Sequence, residues 1–138
     1  MMKTVSVSVS VGLALALGLA TAGAADAVKT EVAELGGFSI TLHLQPFLTE
    51  VELSTLRVVM TNTDALGLFV PDTSKGYAAL AVSPDDGFLP AGTPAASAQA
   101  IGGLPDTATA AKDALAACDK LRKGEAACVL VLEIAPKG

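Results

Sequence analysis

Residues 106–134 run DTATAAKDALAACDKLRKGEAACVLVLEI, a helical period and then a strand period with one glycine between them. Asp106 or Thr107 is the helix cap, because a short side-chain oxygen there accepts an orphan N–H of the first turn. The spacing predicts a helix over 108–123, closed by Gly124. Ala111, Ala114, Leu115, Cys118 and Leu121 share its apolar face. Lys112, Asp113, Asp119, Lys120 and Lys123 share the other. Lys120, Arg122 and Lys123 fall in the last turn, where the helix dipole favours cations. Ala127 to Ile134 then alternates as a strand. Cys128, Leu130, Leu132 and Ile134 point one way, and Val129, Val131 and Glu133 the other.

Working outward, Phe38 to Leu44 is a second alternating strand, introduced by Gly36-Gly37 and closed by Pro46. Phe38, Ile40, Leu42 and Leu44 take one face, and Ser39, Thr41 and His43 the other. Thr49-x-x-Glu52 is a capping box, and Leu53, Leu56 and Met60 follow at helical spacing, so 50–61 reads as helix. Ala65 to Phe69 adds one turn before Pro71, and Asp72 to Gly76 is a loop. Tyr77 to Ser83 is a strand of small and apolar residues, and Pro84-Asp85-Asp86-Gly87 a turn. Phe88 to Pro94, with two prolines and Gly92, reads as an exposed loop. Ala96 to Ile101 is a short strand ended by Gly102-Gly103.

The order is strand, helix, strand, strand, helix, strand. That is an α+β domain with a single antiparallel-type sheet and two helices, arranged as in a ferredoxin-like split β-α-β fold. The strand order in space stays open at this point.

Residues 1–24 read as an export signal: Lys3 gives a basic start, Val5 to Ala20 an apolar run, and Ala22-Gly23-Ala24 a small-x-small cleavage pattern. Cleavage falls after Ala24, with a second site after Ala27. Residues 25–36 form an N-terminal segment and 37–138 one small domain. A periplasmic or secreted bacterial protein is implied, with no stable membrane insertion once the signal is removed. The chain of 138 residues has 9 basic and 14 acidic side chains, a net charge of −5. Only Lys3 of the basic residues lies in the signal, so the exported part is more acidic still. That argues against nucleic acid and against anionic membrane surfaces. Aromatic residues make up 4%, with no Trp, too few for a stacking platform.

Cys118 and Cys128 are the only cysteines. Their spacing is far from Cys-x-x-Cys, no second pair completes a zinc site, and an even count in an exported domain reads as a disulfide. His43, the only histidine, stands among hydroxyls on the polar side of its strand. No Gly-x-Ser-x-Gly accompanies it, and one histidine is a poor start for a metal site. Asp85-Asp86-Gly87 lacks the alternating ligands of a calcium loop. Glu50 with Glu52, and Asp64 with Asp72, are carboxylate pairs that nothing in the sequence brings into a shielded cleft. Gly102-Gly103 lacks the Lys of a phosphate cradle. No cofactor is implied.

Tyr77, Ala79, Ala81, Ser83, Gly87, Ala114-Leu115 with Cys118, and Cys128 form a pattern. Over about residues 77–134 it resembles a family of small exported bacterial domains of unknown function. That family has a tyrosine and small-residue strand, an Ala-Leu-x-x-Cys helix and a Cys-initiated last strand. Here Ala98 to Gly102 replaces the family's usual Gly-Trp-like second strand, and the resemblance carries over no catalytic residue.

The expected function is therefore a disulfide-stapled exported domain with a binding or structural role and no catalysis of its own. Its partner is an unknown protein or a second copy. With both helices on one side of the sheet, the opposite face is open, and Val129, Val131, His43 and Thr41 mark it as an interaction face. Two alternatives stand beside this. One is a small hydrolase or isomerase using His43 with a carboxylate. The other is an inhibitor of a secreted enzyme acting through the Phe88–Pro94 loop.

Overall fold

The computed structural model describes residues 28–70 and 76–137. Residues 1–27, which include the expected export signal, residues 71–75 of the expected loop and residue 138 lie outside the described residues. Within them the chain forms β1 (Thr30–Leu35), β2 (Phe38–His43), α1 (Glu50–Thr61), α2 (Thr63–Phe69), β3 (Tyr77–Val82), β4 (Gln99–Leu104), α3 (Thr107–Leu121) and β5 (Val129–Pro136). The strands make one sheet in the order β1-β2-β5-β3-β4, with every neighbouring pair antiparallel. This is the α+β class expected. β2 and β3 run parallel with β5 between them, and β4 and β5 with β3 between them. Both helical connections are thus split β-α-β units.

The layers differ from the expectation. α1 and α2 cover one face of the sheet and α3 the other. β3 shows this directly, because all its residues after Tyr77 are buried. Ala78, Leu80 and Val82 join a core with Leu56, Val59, Met60 and Leu66. Ala79 and Ala81 meet Ala110, Ala114 and Cys118 of α3. The first core is built of large side chains, including Ile40, Leu42, Phe88, Leu132 and Ile134. The buried members of the second are four alanines and the two cysteines, with Tyr77, Ile101, Leu104, Leu115 and Leu130 partly buried around them. This second core buries little apolar area per residue, at about 0.8 kcal/mol per buried CH₂. The disulfide sits in this thinner layer.

Residues 30–35, within the expected N-terminal segment, form edge strand β1. Gly36 and Gly37 have φ of +57° and +86°, a type I′ two-residue turn into β2. α1 starts at its expected capping box. Thr49 accepts from the Glu52 N–H at 3.1 Å, and Glu52 accepts from the Thr49 N–H at 3.0 Å. Asn62 ends α1 and caps α2, accepting from the Ala65 N–H at 2.9 Å. α3 is capped by Asp106, which accepts from the Thr109 N–H at 2.7 Å. The helix stops at Leu121, short of Lys123, and its buried stripe is Ala110, Ala114 and Cys118. Leu121, which helical spacing puts on the apolar face, is 49% exposed.

Two bulges account for the other departures. In β4 the register passes from Ala79↔Ile101 to Tyr77↔Leu104, so one residue is extra. Gly103, at φ +76°, absorbs it. Gly102-Gly103 therefore lies inside the strand instead of ending it. In β5 the register passes from Leu80↔Leu132 to Ala81↔Leu130. The extra residue turns Val131 to the same side as Leu132. Cys128 and Leu130 face α3, while Leu132 and Ile134 face α1. The single uninterrupted alternation expected of this strand is broken there.

Candidate functional site

One register row crosses the whole sheet: Val32, Thr41, Glu133, Ala79, Ile101. Its right half, Ala79 and Ile101, lies under α3. α3 packs on β3, β4 and β5. Among the described residues the left half, on β1 and β2, has no helix above it. Thr30, Val32 and Glu34 of β1 are exposed there, and Ser39, Thr41 and His43 of β2 are half-buried. Val32 is 63% exposed.

His43 Nε2 lies 2.8 Å from Glu133 Oε1 on this open half-face. Their side chains are 22% and 24% exposed. The contact is diagonal, because Glu133 is registered with Thr41, two residues before His43 on β2. Gln45 adds a second tie, donating from Nε2 to the Leu130 carbonyl at 3.0 Å. At the rim, Lys137 Nζ donates to Glu34 at 3.0 Å.

Of the four residues expected on the interaction face, Thr41 and His43 are on it. Val131 is not: it is fully buried in the large core under α1. Val129 is half-buried opposite Val82, on the α1 side. Both valines alternate against Cys128 and Leu130 as expected, but α1 and α2 cover the face they take, and the bulge sets them on the opposite side from Thr41, His43 and Glu133. Glu133 lies on the face of Thr41 and His43, where alternation already expects it, although it is not among the residues named for that face. Strand alternation puts it beside Val131, and nothing local in the sequence marks it as the partner of His43.

A second polar cluster sits where the 84–98 loop meets the end of α3. Asp86 Oδ2 accepts from Ser97 Oγ at 2.6 Å and from the Lys123 N–H at 3.1 Å. The Ser97 hydroxyl chiefly, and then the Lys123 N–H, hold the Asp86 carboxyl below the usual carboxylate range. Asp85 accepts from the Ala126 N–H at 3.0 Å. Glu52 is 5% exposed and holds the loop from below. Its Oε2 accepts from the Phe88 and Leu89 N–H groups at 3.1 and 2.7 Å. Phe88, expected in an exposed loop, is fully buried. The exposed part of this loop is the tip around residues 90–94, folded as a turn in which the Gly92 N–H donates to the Leu89 carbonyl at 3.3 Å. A cleft of about 220 Å³ beside it is lined by Asp86, Pro90, Ala95, Ala96, Ser97 and Lys123. Asp85, Asp86 and Glu52 each tie one loop or helix to another, so the cluster builds a corner of the fold.

The carboxylate pairs do not form sites. Glu50 is exposed while Glu52 is buried in its cap, and Asp64 is exposed on α2. Asp72 lies outside the described residues. Among the described residues no group of three His, Cys, Asp or Glu side chains could hold a metal ion.

Cys118 and Cys128 form a disulfide, with their Cα atoms 6.1 Å apart. Asp119 secures the same junction, accepting from the Cys128 N–H at 2.9 Å. Among the described residues no helix is long and apolar enough to cross a membrane. No family model, no curated protein and no solved structure matches this chain.

Proposed function

We propose that this is a small exported bacterial domain, periplasmic or secreted, that works by binding a protein through the open half-face of its sheet. The observation that supports this is the register row from Val32 to Ile101. A helix covers one half of it, and the other half presents Val32, Thr41, His43 and Glu133 to solvent. Antiparallel sheets tolerate one polar face, but an exposed valine between hydroxyls and an acid–histidine pair gives this half-face both apolar and directional contacts. The disulfide, set in the alanine layer, keeps α3 on the sheet in an oxidising compartment. The resemblance to exported domains of unknown function over residues 77–134 fits the same reading.

The His43–Glu133 pair favours a hydrolase or isomerase as a second reading, since an oriented imidazole can move a proton. It ranks second because the pair stands on an open sheet face, and a general base needs a substrate held against it in a water-excluded site. The inhibitor reading ranks lower, because the tip of the 88–94 loop is a tight turn and not the extended segment that strand-like recognition uses.

Two measurements test the proposal. Intact mass of the protein from the extracytoplasmic fraction should start at Ala25, or failing that at Val28. A mass retaining Lys3 and the apolar run overturns export. A photo-crosslinking residue in place of Thr41 should capture a protein in that compartment, while one in place of exposed Thr107 on α3 should not. Equal capture at both positions overturns the open-face assignment.

A further inference from the structure

We infer that the edge of β1 is a dimerisation edge, at which a second copy of this chain joins antiparallel about Val32. This goes beyond the open-face reading above, because pairing at the edge extends that face across two copies and leaves it free for another protein. Among the described residues β1 is paired on one side only. The Leu44 N–H donates to the Lys29 carbonyl at 2.8 Å. Lys29 and Leu44 are therefore a hydrogen-bonded pair of the ladder. Alternation along the register makes Glu31, Ala33 and Leu35 the inward-facing residues of β1. The N–H and C=O groups of Thr30, Val32 and Glu34 consequently point to the free edge.

The two edges of the sheet are built differently. β4 carries the Gly102-Gly103 bulge and is followed at once by Pro105, and both features obstruct strand addition. β1 has neither, and its central residue is exposed Val32. Charges usually guard such an edge. Here both acids are already held: Glu31 by Arg57 at 2.7 Å and Glu34 by Lys137 at 3.0 Å.

A two-fold axis at Val32 sets Val32 against Val32, and Thr30 against Glu34 of the second copy. Every outward-facing residue then meets another, so the free main-chain groups of both edges are satisfied together. Glu31 faces Ala33 of the second copy. The two Glu31 carboxylates become only diagonal neighbours, each bound to its own Arg57. The two open half-faces join into one continuous face. A single strand edge buries less than the ~1,200 Å² of a standard interface, so the dimer is weak and depends on concentration.

The test is sedimentation of the purified protein from about 10 μM to about 1 mM, a range that brackets a weak interface. Amide exchange is followed at both ends of it. The expected result is a dimer fraction that rises with concentration, with exchange of the Thr30, Val32 and Glu34 amides slowing alongside it. Val32→Pro removes the central outward N–H, a change an edge strand tolerates. It should leave a monomer with unchanged melting temperature in dilute solution. If Val32→Pro disturbs folding, Val32→Lys decides instead, because it keeps the main chain and sets two ammonium groups face to face. A wild-type monomer throughout, a variant that dimerises like wild type, or full protection of the three amides in dilute monomer overturns the inference. If the wild type stays monomeric while Thr41 still captures a different protein, the open-face reading survives and only this inference fails.

Discussion

The Glu52 carboxylate in the first turn of α1 accepts the main-chain N–H of Leu89 at 2.7 Å, and so ties a helix cap to a loop far away in sequence. One oxygen closes the capping box with Thr49 while the other holds Phe88 and Leu89. A carboxylate this deeply buried is stable only because its oxygens are matched by N–H donors. Glu52→Gln keeps the shape but turns an NH₂ towards donors. The expected loss is about 2 kcal/mol, about 10 °C in melting temperature for a domain of this size. Glu50→Gln, one exposed position before Val51, should change stability by less than about 0.5 kcal/mol. Thermal unfolding of both variants checks it. Equal effects would mean that the buried contacts of Glu52 do not matter.

The disulfide closes a short loop, with a sequence separation of 10. In the chain-entropy model this is worth about 3 kcal/mol. Reduction should lower the melting temperature clearly, and amide exchange should quicken in α3 before it does in α1. The reason is packing: α3 sets alanines against the alanines of β3, whereas α1 sets Leu56, Val59 and Met60 into a core with the large side chains of the sheet. Native, unreduced protein should leave a maleimide unreacted. Two titratable thiols in the native state would contradict the bridge.

Acid should destabilise the fold, and three carboxyls say where. Arg57, chiefly by its hydrogen bond, holds Glu31 below the usual range, and the Thr109 N–H does the same for Asp106. Ser97 and then the Lys123 N–H depress Asp86. A carboxyl with a lower pKa folded than unfolded stabilises the fold above its unfolded pKa of about 4, and the gain is lost as pH falls through the folded value. The urea midpoint should therefore be flat from about pH 7 to about pH 5 and fall below about pH 4. Asp86→Asn should lower the midpoint at neutral pH and make the acid slope shallower. An unchanged slope would remove Asp86 from this account.

Local chemistry was legible in the sequence wherever one residue decides it. The Thr49–Glu52 box, the Asp106 cap, the alternation of Phe38 to His43 and the pairing of the two cysteines could all be read from spacing and residue type. The class and element order followed from them. What could not be read depends on partners distant in sequence. Thr30 to Leu35 has polar residues on both faces and becomes a strand only because β2 lies beside it. Phe88 looks like a loop residue until the Glu52 carboxylate fixes its N–H. The β5 bulge has no glycine or proline to announce it, and it alone separates Val131 from Glu133. The open half-face was foreseen in Thr41 and His43. Alternation also puts Glu133 on that face; what the bulge hid is that Val131 does not share it.

The bulge gives the sharpest contrast between neighbouring positions. Val131 and Glu133 share a face by simple alternation, yet Val131 is fully buried against α1 and Glu133 is on the open side beside His43. Val131→Asp should unfold the monomer, because it places a carboxylate among Leu132, Ile40 and Leu80 with no partner. Val131→Ala should cost about 1–3 kcal/mol as a lost-volume change in a packed core. Glu133→Gln keeps the shape and a hydrogen-bonding oxygen for His43, and on a part-exposed pair it should cost less than about 1 kcal/mol. Urea unfolding of the three variants orders them. If Val131→Asp remained folded and Glu133→Gln did not, the register through the bulge would be wrong, and Val131 would belong to the open face.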